Sequence, residues 1–363
     1  MDTKTNPVLR LAGDEAAAPV AQARQLGPFE RLWQRLIRSY VYHVIVHITD
    51  RCNLRCKTCF VEFGRNDLTV EQAALLARKL GHIPSLDIGG GEPFLHPRII
   101  EICKQFRFGT VTIPTNGQFA DRVVNKAREL VAAFPRAVTL AVSIDGFEET
   151  NDAVRGPGSF KKALETYRRL REIPDLTVKV NTVVTNRNID ELAAFVRYVR
   201  GLAPDYHSLL LLRGDPLAPE EVHLPDATAL RLCTPELFRT LRTYTYGNRW
   251  NVFARYLKAN YQEYMWRVSL RLIEEKRAVF QCKAPHYSKV IYADGTASMC
   301  ELKPRLANLI GEDADVAEAR FRANLDAFEA EHGYCYCTHN CNMAENIMTH
   351  PLSVVKIILG ILH

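Results

Sequence analysis

The sequence has no long hydrophobic run. Its longest, "VIVHIT" from Val44 and "VVKIILGIL" near the C-terminus, fall well short of the roughly 20 apolar residues that a membrane-spanning helix requires. No segment is expected to cross a bilayer. A leader of basic, apolar and small residues in that order is also missing: "MDTKTNPVLRLAGDEAAAPVAQARQ" reads as a flexible polar lead-in, so the expected location is cytoplasmic. Charge of one sign is scarce. With 47 Lys and Arg interspersed among 41 Asp and Glu, the net charge of +6 builds no polybasic arm, and no nucleic-acid partner is expected. Long repeats and low-complexity tracts are absent beyond the alanine-rich start.

Against these absences, cysteine stands out. A chain of 363 residues that is 47% apolar can bury a large core without disulfides, and a reducing compartment disfavours them. The ten cysteines therefore point to metal or cluster ligation. Eight fall into two groups, Cys52/Cys56/Cys59 and Cys282/Cys300/Cys335/Cys337/Cys341, while Cys103 and Cys233 read as small core residues.

From Tyr42 to Arg213, β-rich runs alternate with helical periods: "YHVIVHIT", "SLDIGG", "TVTIPT", "AVTLAVSI", "LTVKVNTVVT" and "YHSLLLL" read as six strands. One intervening helix has its own signals, with Thr69 as cap, Gln72 three residues on, and Gly81 as stop. Sequential right-handed βα units build a parallel sheet, and six of them make an α/β fold of the partial (β/α)6 TIM type, open on one side. Reactive residues then belong on loops after the strands' C-terminal ends. The motifs fall there: "CNLRCKTC" follows the first strand, "GGGEP" the second, "TNG" the third and "SIDG" the fourth. The expected organisation is a flexible lead with an amphipathic helix around "PFERLWQRLIRSYV" (1–40), the barrel (41–215), a helical aromatic-rich segment (216–281), a cysteine-rich module (282–346) and a tail (347–363).

Three thiolates can hold three corners of a cubane iron–sulfur cluster, and a missing fourth ligand leaves one iron open to a small molecule. An open iron can chelate an amino acid's nitrogen and carboxylate; S-adenosylmethionine fits that need. A zinc site completed by His47 is the rival reading, and it leaves the other strand-end motifs unexplained. Cys52-x3-Cys56-x2-Cys59 after the first strand, followed by Gly90-Gly91-Glu92-Pro93, resembles the radical S-adenosylmethionine (radical SAM) superfamily. The resemblance implies a 4Fe–4S cluster on Cys52, Cys56 and Cys59, and reductive cleavage of S-adenosylmethionine to methionine and a 5′-deoxyadenosyl radical. It assigns the methionine amino group to Glu92 and the backbone of Gly90 and Gly91, and the carboxylate to Ser143 and Arg155. Thr115, Asn116, Asp145 and Asn181 are implied near the ribose or the substrate. Taken singly, Glu92 reads as a solvated loop carboxylate and Arg155 as half of a surface ion pair. Thr58 departs from the family, which often has an aromatic residue before the third cysteine.

The second group resembles the SPASM and shorter twitch extensions that hold auxiliary clusters, with Cys282-x12-Gly295-x4-Cys300 as the matching half. Asp294-Gly295 is a hairpin turn signal, so two strands are expected to bear those two thiols. A full SPASM module has seven cysteines. Five here imply one auxiliary 4Fe–4S cluster and a spare among Cys335, Cys337 and Cys341; a zinc ribbon is the alternative. His339 reads as a surface residue.

The resemblance makes the chain an oxidoreductase or biosynthetic enzyme that abstracts hydrogen, with a reduced flavodoxin or ferredoxin as electron donor. About forty residues before the first strand are too few for a separate peptide-recognition domain, which favours a small-molecule, sugar or lipid-linked substrate over a peptide. A non-catalytic metal-binding or electron-transfer protein is the reading of another class. Peripheral membrane contact by the N-terminal helix or the apolar tail stands beside simple packing of both on the barrel.

Overall fold

A computed structural model describes residues 32, 33, 36, 42–246, 251–276, 278–280, 282–311, 313–332 and 338–362. The N-terminal helix apart from those three residues, Trp250, Cys335 and Cys337 therefore lie outside the described residues. Six strands, β1 (His43–Thr49), β2 (His82–Gly90), β3 (Arg107–Thr115), β4 (Val138–Ser143), β5 (Thr177–Val184) and β6 (Tyr206–Leu211), alternate with helices. These are α1 (Val70–Leu80), α2 (Ile99–Cys103), α3 (Ala120–Ala133), α4 (Glu148–Arg155), α5 (Ser159–Leu170) and α6 (Leu192–Gly201). The strands pair in parallel, each with its neighbour in sequence. This is the partial (β/α)6 barrel that the alternation predicts.

Alternation along each strand sets what lies on either side. Val44, Val46 and Ile48 of β1, Leu86 and Ile88 of β2, and Leu140 and Val142 of β4 join one core with Leu76 of α1, Leu130 of α3 and Leu164 of α5. Each such aliphatic side chain contributes about 1.5–3 kcal/mol on burial. The intervening residues share the opposite, concave face, and on β1 several are polar and buried: His43, His47 and Thr49. Helix α1 starts as its capping box predicts: Thr69 Oγ1 accepts from Gln72 N and the Gln72 side chain accepts from Thr69 N. It stops at Gly81, whose φ of 67° suits glycine.

The sheet is longer than six strands. β7 (Ser288–Ile291), β8 (Thr296–Ser298) and β9 (Ala307–Asn308) extend it in the order β6-β5-β4-β3-β2-β1-β7-β8-β9. β7 pairs in parallel with β1, from His43↔Ser288 to Val46↔Ile291, so the cysteine-rich segment continues the barrel sheet. The hairpin at Asp294-Gly295 forms, with Gly295 at φ 84°. Its strands do not bear the thiols: Cys282 precedes the short helix α9 (Ala284–Tyr287), and Cys300 lies two residues beyond β8.

Helices α7 (Ala227–Leu241) and α8 (Val252–Glu275) occupy the segment expected to be helical. Tyr244, Tyr246 and Trp266 are buried in a second core with Leu209, Leu211 and Phe238. Then come α10 (Ala314–His332), α11 (Asn340–Met348) and α12 (Pro351–Leu359). Among the described residues no helix is long and apolar enough to cross a membrane.

Candidate active site

The loop after β1 is closed at its base. Thr49 bridges to Asp67, Thr49 Oγ1 donates to Asp67 Oδ1 at 2.6 Å, and Arg51 pairs with the same carboxylate. Within it Cys52, Cys56 and Cys59 are half-buried free thiols, and Cys59 N donates to Cys56 O at 2.9 Å to form a turn. Burial pushes the Cys56 thiol up to about 11 and raises those of Cys52 and Cys59. Burial thus favours the neutral thiols, and a bound cation would be what shifts them to thiolates.

The glycines after β2 let this loop sit against the sheet. A Cβ on Gly90 would lie 2.2 Å from the Thr49 carbonyl oxygen, and one on Gly91 would lie 2.2 Å from that of Arg51. Gly91 N and Glu92 N donate to those same two oxygens at 2.9 and 2.8 Å. Glu92 is 2% exposed, which excludes a solvated carboxylate. Its oxygens accept from Phe94 N, Thr115 Oγ1 and Asn116 N at 3.2, 2.9 and 2.7 Å, so it pins the β3 end to the β2 end. Burial nonetheless lifts it to about 7. Asn116 Nδ2 donates to Asn53 Oδ1 at 2.9 Å and lies 3.9 Å from Cys52 Sγ.

Arg155, at the end of α4, is not a surface ion pair. Its Nε donates to Asp145 Oδ2 at 2.7 Å, with the side chains 10% and 1% exposed, and its Nη1 lies 3.9 Å from Cys56 Sγ. Burial works against its charge, but the Asp145 carboxylate and the nearby thiols raise its pKa further. Asp145 also accepts from Val183 N at 2.8 Å, tying the β4 end to β5. Ser143 and Asn181 face each other across β4 and β5. The Asn181 Oδ1 atom is buried without a partner in the protein, so it has an acceptor to offer on this face. Thr58 is buried.

The three thiols, the cationic Arg155, the Asn116 amide and the close-fitting glycines fit an anionic cluster beside a small polar ligand. Residues 46–199 match the model of the Radical SAM superfamily. The chain carries a radical SAM domain. It is 32% identical over 165 residues to an S-adenosylmethionine-dependent nucleotide dehydratase of Selenomonas ruminantium, covering 41% of this chain and 59% of that protein. The chain spans about half the length of the curated relatives it matches. Its fold resembles native anSMEcpe with bound AdoMet, with TM-score 0.56 and 13% identity over 88% of this chain and 99% of that one. It also resembles SuiB of Streptococcus suis bound to the precursor peptide SuiA, with TM-score 0.55 and 16% identity over 84% and 73%. At these identities the likeness is one of fold.

Beyond the radical SAM domain, α11 contacts the Cys300 thiol and the backbone next to Cys282. Asn342 Nδ2 donates to Cys300 Sγ at 3.0 Å, and Asn346 Oδ1 accepts from Lys283 N, next to Cys282, at 2.7 Å. Burial pushes the Cys300 thiol up to about 12. Cys341 has other company: its sulfur and ligand atoms of His43 and Asp87 lie within 4.8 Å of one another. His43 is also 3.2 Å from Asp87 and 3.6 Å from Glu345. Burial would raise the Cys341 thiol, but a hydrogen bond from His339 and the charge of His43 hold it below its ordinary value.

A carboxylate that the sequence reading did not single out completes the concave face. Glu301, next to Cys300, meets His47 Nε2 at 3.1 Å, His339 Nε2 at 2.7 Å and Arg213 at 3.4 Å. His339 is buried, not at the surface, because this carboxylate and Cys341 draw it inward. A cavity of about 650 Å³ lies between Phe60, just after Cys59, and the β7–β8 hairpin; His47, Tyr292, Glu301 and Arg305 line it. The signal for these groups was present: His43 and His47 stand four apart in an otherwise apolar strand, on the same face.

Proposed function

We propose that the protein is a radical SAM enzyme acting on a small molecule, sugar or lipid-linked substrate. The observation that carries this is the loop of three half-buried thiols locked onto Gly90-Gly91-Glu92, with Arg155 and Asn116 directed at two of its sulfurs. Cys52, Cys56 and Cys59 would hold a 4Fe–4S cluster. Gly90, Gly91, Ser143, Asn181 and the Arg155–Asp145 pair would receive S-adenosylmethionine, and Glu92, Thr115 and Asn116 would fix the strand ends around it. Together these groups, when bound, supply one-electron cleavage to a hydrogen-abstracting 5′-deoxyadenosyl radical. Arg155 and Asn116 place donors toward sulfur, which favours a charged cluster.

Cys282 and Cys300, with two of Cys335, Cys337 and Cys341, would bind one auxiliary 4Fe–4S cluster serving electron transfer or oxidation. The cavity of about 650 Å³ has the size of a small-molecule site and favours that substrate class over a peptide. The dehydratase relative is named for a nucleotide, while SuiB is seen with a peptide; the peptide reading is the second choice. A low-potential flavodoxin or ferredoxin would be the reductant.

The test is anaerobic reconstitution with iron and sulfide counting, followed by assay of 5′-deoxyadenosine with dithionite as reductant. Cys56→Ala should abolish its formation, and Cys300→Ala should leave cleavage intact but uncoupled from product. Equal turnover by both variants, or zinc in place of iron, refutes the reading.

A further inference from the structure

We propose that the outward face of α12, together with the first two turns of α8, docks on an anionic lipid bilayer. Helix α12 buries only Ser353 and Ile357, the latter in an apolar cluster with Val268 and Ile347, and leaves most of its aliphatic residues outside. Polar contacts lie on its inner face: Ser353 Oγ bonds Tyr264 Oη at 3.0 Å, and the Ile357 carbonyl accepts from Asn260 Nδ2 at 2.9 Å. Gly360 sits against Tyr256. These contacts step back along α8 by four residues at a time, so α12 runs antiparallel to it.

Most of the aliphatic side chains are turned outward instead. Leu352 is 66% exposed, Leu359 60%, and Val355, Ile358 and Ile361 are exposed with them. The start of α8 repeats the pattern, with Val252 72% and Phe253 62% exposed while Asn260 and Glu263 are buried. Because Gly360 meets Tyr256, the two apolar faces adjoin. Seven of the fifteen exposed large hydrophobic residues among those described belong to these two helices, and Ile361, just beyond α12, adjoins them.

Charge selects the occupant. On the first two turns of α8 and on α12 the cations are Arg255, Lys258 and Lys356, with no acid; farther along α8 the acids are paired, Glu275 with Arg271 and Glu274 with Arg231, and the remaining one is Glu263. That acid is buried and paired with Arg242 and Arg267. The whole chain is nearly balanced, with 47 bases to 41 acids, so the surplus is local. A basic surplus opposes a second copy of the same face across a two-fold axis, and it favours anionic headgroups. Between the helices an apolar groove of about 300 Å³ contains Val268, Phe280 and Leu352, with Arg271 and Lys356 also lining it. Nine residues are too few to span, so α12 lies along the interface with Phe253 and Tyr256 at headgroup level.

The test is co-sedimentation of the full chain with vesicles of phosphatidylcholine alone or mixed equally with phosphatidylglycerol. Binding should require phosphatidylglycerol and weaken with salt. The triple variant Val355→Gln, Ile358→Gln, Leu359→Gln, at exposed sites that leave the fold intact, should lower partitioning by more than about tenfold. Leu232→Gln, exposed on α7, should not. Absence of binding, equal binding to neutral vesicles, or unchanged binding of the triple variant overturns the proposal. So does concentration-dependent self-association that the triple variant abolishes. None of these outcomes depends on iron content or on cleavage of S-adenosylmethionine.

Discussion

Replacing Asp145 by asparagine should destabilise the cofactor-free protein by about 3–5 kcal/mol, and the reconstituted protein by distinctly less. The carboxylate is 1% exposed and its partner Arg155 10%, so the substitution strands a guanidinium in a dry site. Asparagine keeps an acceptor for Val183 N but sets an amide NH2 where Oδ2 accepts from Arg155 Nε, so the charge and that one hydrogen bond are lost together. The nearest remaining source of negative charge is Cys56, 3.9 Å from Arg155 Nη1, and burial holds that thiol up to about 11. At neutral pH it is protonated and offers no compensation. A bound anionic cluster on Cys56 would offer it, which is why the two forms must differ. Anaerobic urea unfolding of wild type and Asp145→Asn, bare and reconstituted, reads both quantities from the midpoints and slopes. A loss below about 1 kcal/mol, the size of an exposed pair, refutes the reasoning about burial. Equal losses in both forms refute the placement of an anionic group beside Arg155.

Gly91→Ala puts a Cβ 2.2 Å from the Arg51 carbonyl oxygen and must displace the thiol loop; iron content after reconstitution should fall at least about tenfold, read by iron analysis. Burial raises Glu92 to about 7 in the folded chain, above its ordinary 4.5. The folded state therefore keeps a proton that the unfolded state loses, and stability falls as pH rises from 4.5 to about 7, by on the order of 3 kcal/mol. Glu92→Gln should flatten that slope in cofactor-free protein, measured as unfolding free energy against pH. Burial and Arg213 oppose the charge on His339, yet its partners Cys341 and Glu301 raise it above 6.5. The His339–Glu301 pairing thus contributes fully below pH 6.5 and is lost as pH climbs past the raised value. Glu301→Gln should accordingly destabilise more below pH 6.5 than well above it; a pH-independent loss refutes the pairing.

What was legible in the sequence was local. Six strands and the Thr69–Gln72 capping box follow from period-two alternation and from a hydrogen-bond exchange across three residues, and both appear as read. The spacing of Cys52, Cys56 and Cys59 was legible for the same reason, since one loop carries all three. The glycines were noticed, but their spatial neighbour was not: Gly90 and Gly91 yield to the thiol loop itself, 40 residues earlier in the case of Gly91 and Arg51. β7 was expected as one arm of the Asp294-Gly295 hairpin, but its parallel pairing with β1, some 240 positions away, was not, because nothing local in "SKVI" signals it.

Of the inward-facing groups Asn181 and His47 were named as candidates, while His43, Asp87 and Glu301 were missed for a related reason. A reading of hydrophobic alternation follows the half of each strand that packs under helices, since burial of Val44, Val46 and Ile48 is what makes β1 a strand at all. The other half is released from that demand, and there the chain places His43, His47, Asp87, Asn181 and, from the extension of the same sheet, Glu301. Each needs a partner contributed by another element: His47 finds Glu301 254 positions away, and Asp87 finds His43 across the β1–β2 pair. A polar residue interrupting a strand's apolar run at even spacing is thus the one trace that such a site leaves in a single sequence. In "HVIVHIT" that trace marks the two positions that turn toward the concave face, where cavity, thiols and carboxylates converge.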